Sequence, residues 1–391
     1  MINKLKKMDW TIVVILVIFM ALSIILVHSG TAAWSDYKGS DKKMVFFYIL
    51  GFIAFFGVAL VDYRFFIKYY LYILGVGLFL LILVIFIGGS VNGAQGWITI
   101  PNVGLSLQPA ELFKLVLIIT LTALLVKKSK SKLSFWKNVV PLFLITMVPL
   151  GLVLKQNDIG NGLSYLVILL GLLWIGNLKY SHTLIILIIF AVSVIVGIKS
   201  YISFHDQIEA ALKNTSKEHW LNRIDPWLMP EEADKNAAYH TRNAKIAIAS
   251  GGMFGKGYMK GDFVQSNRVP YTYSDSIFVV VAEEFGFIGC SVLLLLYFIL
   301  IHRMILISLE ARERGGPYLI VGIIAMLLYQ IFENIGMFIG IMPLTGITLP
   351  FISYGGTSLL INMASLGLAM SVRLHGRDKD TGTLMQPGAS A

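Results

Sequence analysis

The sequence predicts an all-α polytopic membrane protein of about ten transmembrane helices, with a long extracytoplasmic loop between helices 7 and 8. Three observations carry that expectation. Of 391 residues, 57% are hydrophobic and only 14% charged, at a mean hydropathy of +0.76, which leaves a soluble domain of this length too little polar surface. Apolar runs long enough to cross a bilayer recur along the chain. Lysine and arginine collect in alternate connections between those runs, as the positive-inside rule requires.

The first run, 10–28, follows "MINKLKKMDW" and is longer than a signal-peptide core, so it reads as a retained span. Further runs fall at 44–61, 68–88, 106–126, 138–155, 162–178, 183–202, 276–301, 317–340 and 357–373. One set of connections holds most of the basic residues, among them Arg64, Lys127, Lys128, Lys137, Arg303, Arg312 and Arg373. The short loops on the other side hold only Lys38, Lys42, Lys43 and Lys155. Both termini are therefore expected on the cytoplasmic side of the cell membrane, and the formal charge of +10 is explained without nucleic acid. Cys290 is the single cysteine, which excludes an intrachain disulfide and a thiolate metal cluster. The histidines, for example His205, His219 and His240, lack metal-ligand spacing.

Residues 1–375 read as one transmembrane domain and 376–391 as a polar cytoplasmic tail. The connection at about 203–275 is too aromatic and apolar for a solvated linker, so it is expected to pack on the outer face, partly re-entrant. Its stretch "ASGGMFGKGYMKGD" lacks nucleotide-loop spacing. A glycine-rich turn with Lys256 fits either a lipid-linked phosphate or a simple turn. "LTGITLPFISYGGTS", with Ser353 and Tyr354, fits either the lining of a substrate groove or a tight outer loop.

Acids inside spans are costly and therefore pair, face the protein interior or do chemistry. If the fourth span enters near Leu105, Glu111 lies roughly 9 Å and Lys114 roughly 14 Å deep, at about 1.5 Å per residue. Glu283 and Glu284 of the eighth span lie at a similar depth, roughly 12–14 Å. The expectation is that Glu111 and one of these acids neutralise Lys114 in a fold-locking ion cluster. Asp275 is too far along and around the helix to pair with them as glycosidase carboxylates do. It is either a lone reactive acid at the water boundary or a helix cap within "YSDS".

The segments "GWITIPNVGLSLQPAELFKL", "IAIASGGMFGKG", "YSDSIFVVVAEEFGFIG" and "NIGMFIGIMPLTGITLPFISYGGTS" together resemble the SEDS family (shape, elongation, division and sporulation). Its members are the RodA, FtsW and SpoVE proteins of bacterial cell-wall synthesis. The resemblance runs from the first span to the tenth and implies a ten-span fold with a long outer loop before the eighth. It implies an inverting peptidoglycan glycosyltransferase that polymerises lipid II, the undecaprenyl-pyrophosphate-linked disaccharide pentapeptide, in elongation, division or sporulation. The family's catalytic aspartate matches Asp275. Its acid and lysine after a Gln-Pro pair match Glu111 and Lys114, and its Ala-Glu-Glu matches Glu283 and Glu284. Lys256, Arg268 or a divalent cation, Mg or Mn, would serve the leaving pyrophosphate. A class B penicillin-binding protein and other elongasome or divisome membrane proteins are the implied partners. The chain departs from the family pattern at Gln95, Gly96, Asn157, His240, Tyr271, Tyr273 and Glu333. Those departures leave open a scaffold with reduced catalysis; a lipid II flippase is a separate alternative, disfavoured because the intramembrane charges lie in the outer half of the membrane.

Overall fold

The computed structural model describes residues 7–376 except 38, 92–93, 101–104, 129–132, 179, 214 and 216–217. The expected tail at 376–391 thus lies outside the described residues apart from its first. Two long helices open the chain, α1 (Trp10–Thr31) and α2 (Ser40–Leu60). A short α3 (Tyr63–Lys68) then turns it into α4 (Tyr70–Ile87). Three strands follow, β1 (Gly89–Val91), β2 (Ala94–Ile100) and β3 (Leu105–Leu107), paired antiparallel in the order β1-β2-β3. Next come α5 (Pro109–Lys128), α6 (Val140–Lys155), α7 (Ile159–Ile175) and α8 (Tyr180–Ser203). The long connection holds α9 (His205–Leu212), α10 (Leu221–Leu228), α11 (Lys235–Ser250) and α12 (Asp262–Gln265). The chain closes with α13 (Ile277–Glu310), α14 (Gly315–Ile339) and α15 (Gly356–His375).

Among the described residues, nine helices are long and apolar enough to cross a membrane, and α7 is a shorter apolar helix of 17 residues. Together they account for the ten expected spans of a multi-pass membrane protein. The centre of the bundle is α5, α14 and α15, whose apolar windows are 78%, 72% and 83% buried. By contrast, α8 stands at the edge, with no buried residue among those described in its apolar window.

Three expectations are corrected. The small sheet was not foreseen, because strands of 3 and 7 residues carry too few alternations to register as a pattern. It displaces the start of the fourth span from 106 to Pro109, where a proline without an amide hydrogen suits the first turn. Glu111 is therefore a first-turn residue, not one roughly 9 Å inside. The second concerns the connection at 203–275, which is packed as expected, α11 lying against both α13 and α14, but holds four helices that the sequence reading did not mark.

The third correction concerns α13, which continues to Glu310 and breaks at Gly286 (φ 66°, ψ −160°). The turn at 251–257 inserts into that break. Lys256 and Gly257 amides donate to the Glu283 and Glu284 carbonyls at 3.0 and 2.9 Å, while Phe287 and Ile288 amides donate to the Gly252 and Met253 carbonyls at 2.9 and 3.1 Å. Backbone groups that a helix would pair internally are thus paired by the inserted turn, as an apolar surrounding demands.

The segment between α14 and α15 is pinned just as firmly. Carbonyls of Pro350, Phe351 and Ile352 accept from Tyr297 (2.5 Å), Tyr48 and Ser23 (2.7 Å) hydroxyls respectively. At the opposite end of the bundle, Arg303 of α13 binds Asp9, the N-cap of α1, at 2.5 Å, and Arg64 holds Glu313 at 2.8 Å. These contacts hold the helices that carry the polar residues described next.

Candidate functional site

Asp275 lies half-buried two residues before α13, at the end of the bundle that carries the small sheet and α9–α12. It does not take the N-cap position, which falls to Ser276 without a side-chain cap bond. Its Oδ1 accepts from the Ser274 hydroxyl at 3.0 Å. The backbone around it is clamped: Asn334 Nδ2 on α14 donates to the Asp275 and Ile347 carbonyls, both at 2.7 Å. The loop passes alongside, since a Cβ on Gly346 would stand 3.7 Å from Asp275 Oδ2. Thr345 donates to the buried Glu333 at 2.9 Å, fixing the same loop from below.

Burial pushes the Asp275 carboxyl up to about 6, although the Ser274 hydroxyl, the amides of Asp275 and Ser276 and the Arg223 charge pull the other way. His240, whose Nε2 is 3.5 Å from the Ser276 hydroxyl, is pushed down to about 4 by burial and stays neutral. Arg223 was missed as a candidate in the sequence. It reaches the Asn157 carbonyl at 3.5 Å, and its own carbonyl accepts from the Leu344 amide at 3.3 Å. Burial lowers its guanidinium from the ordinary value, while Asp158 and Asp275 favour its charged form. Asp158 is itself ordered by Gln108 at 2.9 Å and by the amide and side chain of Asn161 at 3.0 and 2.8 Å. The signal for Arg223 was "HWLNRIDPW", a lone arginine in an apolar, aromatic stretch.

Arg223 also lines a groove of about 300 Å³ whose other walls are mostly apolar, including Ile198, Tyr201, Trp227 and Leu344. Beside Asp275, Tyr37 stacks on Tyr273 at 4.1 Å, and Tyr354 meets Tyr273 and Phe47 at 6.1 and 5.9 Å. Ser353 is buried and its Oγ accepts from the Leu349 amide at 2.8 Å, so it shapes the turn rather than lining the groove.

The expected single ion cluster divides into separate sites. Lys114 pairs with Glu111 at 2.8 Å, both buried on α5. Glu283 pairs instead with Lys256 at 2.8 Å and accepts from the Phe263 and Val264 amides, both at 3.0 Å. Glu284 accepts from Ser29 at 2.6 Å and Gln265 at 3.2 Å. The reason is the inserted turn, which carries Lys256 and α12 against α13. Lys256 also pairs with Asp262 at 2.9 Å, so two acids neutralise the cation expected for a pyrophosphate. Arg268 is exposed, with its guanidinium 5.3 Å above the Phe263 ring. The side chain of Gln95 lies outside the described residues. No group of three metal-ligating side chains occurs among those described, and the charge that acts on Asp275 is that of Arg223 rather than of further acids, so the described side chains do not build a resident Mg or Mn site.

The structure is a multi-pass membrane bundle with a broken helix that brings a clamped, half-buried carboxylate, a semi-buried arginine and an apolar groove to one end. The pattern of the FtsW/RodA/SpoVE cell cycle proteins matches residues 9–378. The chain belongs to that family. It is 31% identical over 388 residues to stage V sporulation protein E of Bacillus subtilis, covering 96% of this chain and 100% of that protein. It is 32% identical over 381 residues to peptidoglycan glycosyltransferase MrdB of Escherichia coli K12, covering 95% and 97%. A chain from a structure on the coordination of polymerization and crosslinking by a peptidoglycan synthase complex superposes with a TM-score of 0.75 at 26% identity, covering 95% and 98%. The crystal structure of Thermus thermophilus rod shape determining protein RodA gives 0.67 at 26% identity, covering 95% and 98%.

Proposed function

We propose that this chain is a peptidoglycan glycosyltransferase that polymerises lipid II at the outer membrane face, with Asp275 as general base. The observation that carries the reading is Asp275 itself, a clamped carboxylate raised to about 6 near a groove that suits a polyprenyl tail. The names of the relatives support the reaction class. The excess of lysine and arginine on the opposite side supports placing Asp275 outside and both termini inside.

In the reaction, a sugar 4-hydroxyl gives its proton to the Asp275 carboxylate as its oxygen attacks the anomeric carbon of a second lipid-linked sugar. The bond from that carbon to pyrophosphate breaks, and the pyrophosphate takes the electron pair. Attack from the opposite face inverts the centre. Arg223 stabilises the leaving charge, and no partnering acid is required because pyrophosphate leaves well. A class B penicillin-binding protein is the partner that would crosslink the product, in keeping with the synthase complex the fold resembles.

Only the ionised carboxylate accepts a proton, so activity is lost as pH falls through the raised value. Polymerisation of lipid II by the purified chain with its transpeptidase is expected to show an acid limb near pH 6, falling about tenfold per unit below it. A rate that stays flat down to about pH 4.5 would contradict a base with this carboxyl.

A further inference from the structure

Helix α10 separates two cavities. One is the Arg223 groove. On its other side, between α10 and α11, lies a larger cavity of about 520 Å³, walled by Pro226 and Pro230 and by Tyr239, Arg242, Lys245 and Ile246. Arg242 and Lys245 are three residues apart on one face of α11, and both are exposed. Neither has an acidic partner within 4 Å among the described residues, in contrast to Lys256, held by two acids. Glu231 also lines the cavity, so its charged groups sum to one excess positive charge.

The fold brings Lys245 to the end of α14. Gly340 ends α14 at φ +88°, and a Cβ there would stand 2.5 Å from Lys245 Nζ. The ammonium therefore sits at the end of a membrane helix, at the lipid–water boundary. The other face of α11 packs Ala244 and Ala247 with Met337, Phe338 and Val279. It also brings His240 to Ser276, the neighbour of Asp275. One helix thus presents two cations to the cavity while touching the start of α13.

Two unpaired cations over apolar walls at a membrane boundary are the chemistry of a lipid-borne phosphate, gripped by a guanidinium fork and a point charge. We infer that the α10–α11 cavity is a second lipid-phosphate site, holding the pyrophosphate of one of the two lipid-linked sugars while the Arg223 groove holds the other. This inference rests on the polymerase reading, which needs two such lipids per bond formed. An anionic phospholipid headgroup offers the same chemistry, and the experiment separates the two sources.

The full chain is placed in phosphatidylcholine nanodiscs and titrated with a radiolabelled polyprenyl pyrophosphate. Wild type is expected to bind two equivalents. Arg242→Gln/Lys245→Gln is expected to weaken the second by at least about tenfold, and Arg242→Lys/Lys245→Arg to restore it. Arg223→Gln is expected to spare that second equivalent. If added phosphatidylglycerol displaces it at equal concentration, the site takes phospholipid headgroups and the assignment to a lipid-linked sugar is overturned; if not, the site takes the substrate pyrophosphate, as inferred. One equivalent in wild type, or two undiminished in Arg242→Gln/Lys245→Gln, overturns it. A wild type that binds two equivalents but makes no glycan keeps this site and removes the polymerase reading. A polymerising wild type whose double variant keeps both equivalents does the reverse.

Discussion

Asp275→Asn lowers lipid II polymerisation by at least about 10²-fold, the usual contribution of a positioned general base, while the protein stays folded in the membrane. Asparagine matches the carboxylate in shape and can still accept from the Ser274 hydroxyl. The main clamp on this position is on the backbone, where Asn334 binds the Asp275 carbonyl at 2.7 Å, and the substitution leaves it in place. Only proton acceptance is removed. Removing a half-buried group that resists ionisation does not by itself unfold the site. The measurement is glycan formation from lipid II, with unfolding followed on the same preparation. A variant that polymerises at the wild-type rate takes Asp275 out of the base role; one that unfolds shows that the carboxylate braces α13.

Gly286→Ala is expected to cost stability on the order of 4 kcal/mol or more. Its backbone, at φ 66° and ψ −160°, lies in a region open almost only to glycine. A Cβ there would stand 2.3 Å from the Gly255 amide nitrogen and 2.8 Å from the Met253 carbonyl. The inserted turn would have to withdraw, leaving the Glu283 and Glu284 carbonyls and the Phe287 and Ile288 amides without partners in an apolar setting. Lys256 would leave with it, and Glu283 would remain buried without its cation. Thermal unfolding of the purified variant in detergent checks this. A midpoint within about 2 °C of wild type would mean that the turn does not support the helix break.

The ten spans were legible because hydropathy alone marks segments that must satisfy their backbone internally. Asp275 stood out as a candidate because a lone acid at the mouth of an apolar run is conspicuous against its neighbours. The partners of the deeper acids were not. One of Glu283 and Glu284 was assigned to Lys114 by depth, but depth says nothing of which segment lies alongside, and the turn at 251–257 folds back onto α13 to supply Lys256 to Glu283. Arg223 was passed over for a related reason. It becomes a candidate only when α10 carries it to where the charges of Asp158 and Asp275 act on it, a placement that no local pattern encodes. Ser353 was counted as groove lining because hydroxyls in an irregular membrane loop suggest a ligand, yet the Leu349 amide donates to this one. Irregular backbone in a membrane must be satisfied by something, and here the protein does most of it.

The account depends on Asp275 facing the external medium beside a space that admits a lipid-linked sugar. In a Cys290→Ser background, Asp275→Cys should react in intact cells with a membrane-impermeant thiol reagent added outside, and a lipid-linked sugar substrate should slow that reaction. Labelling that appears only after the membrane is permeabilised, or that is indifferent to substrate, would contradict the placement on which the enzymatic reading stands.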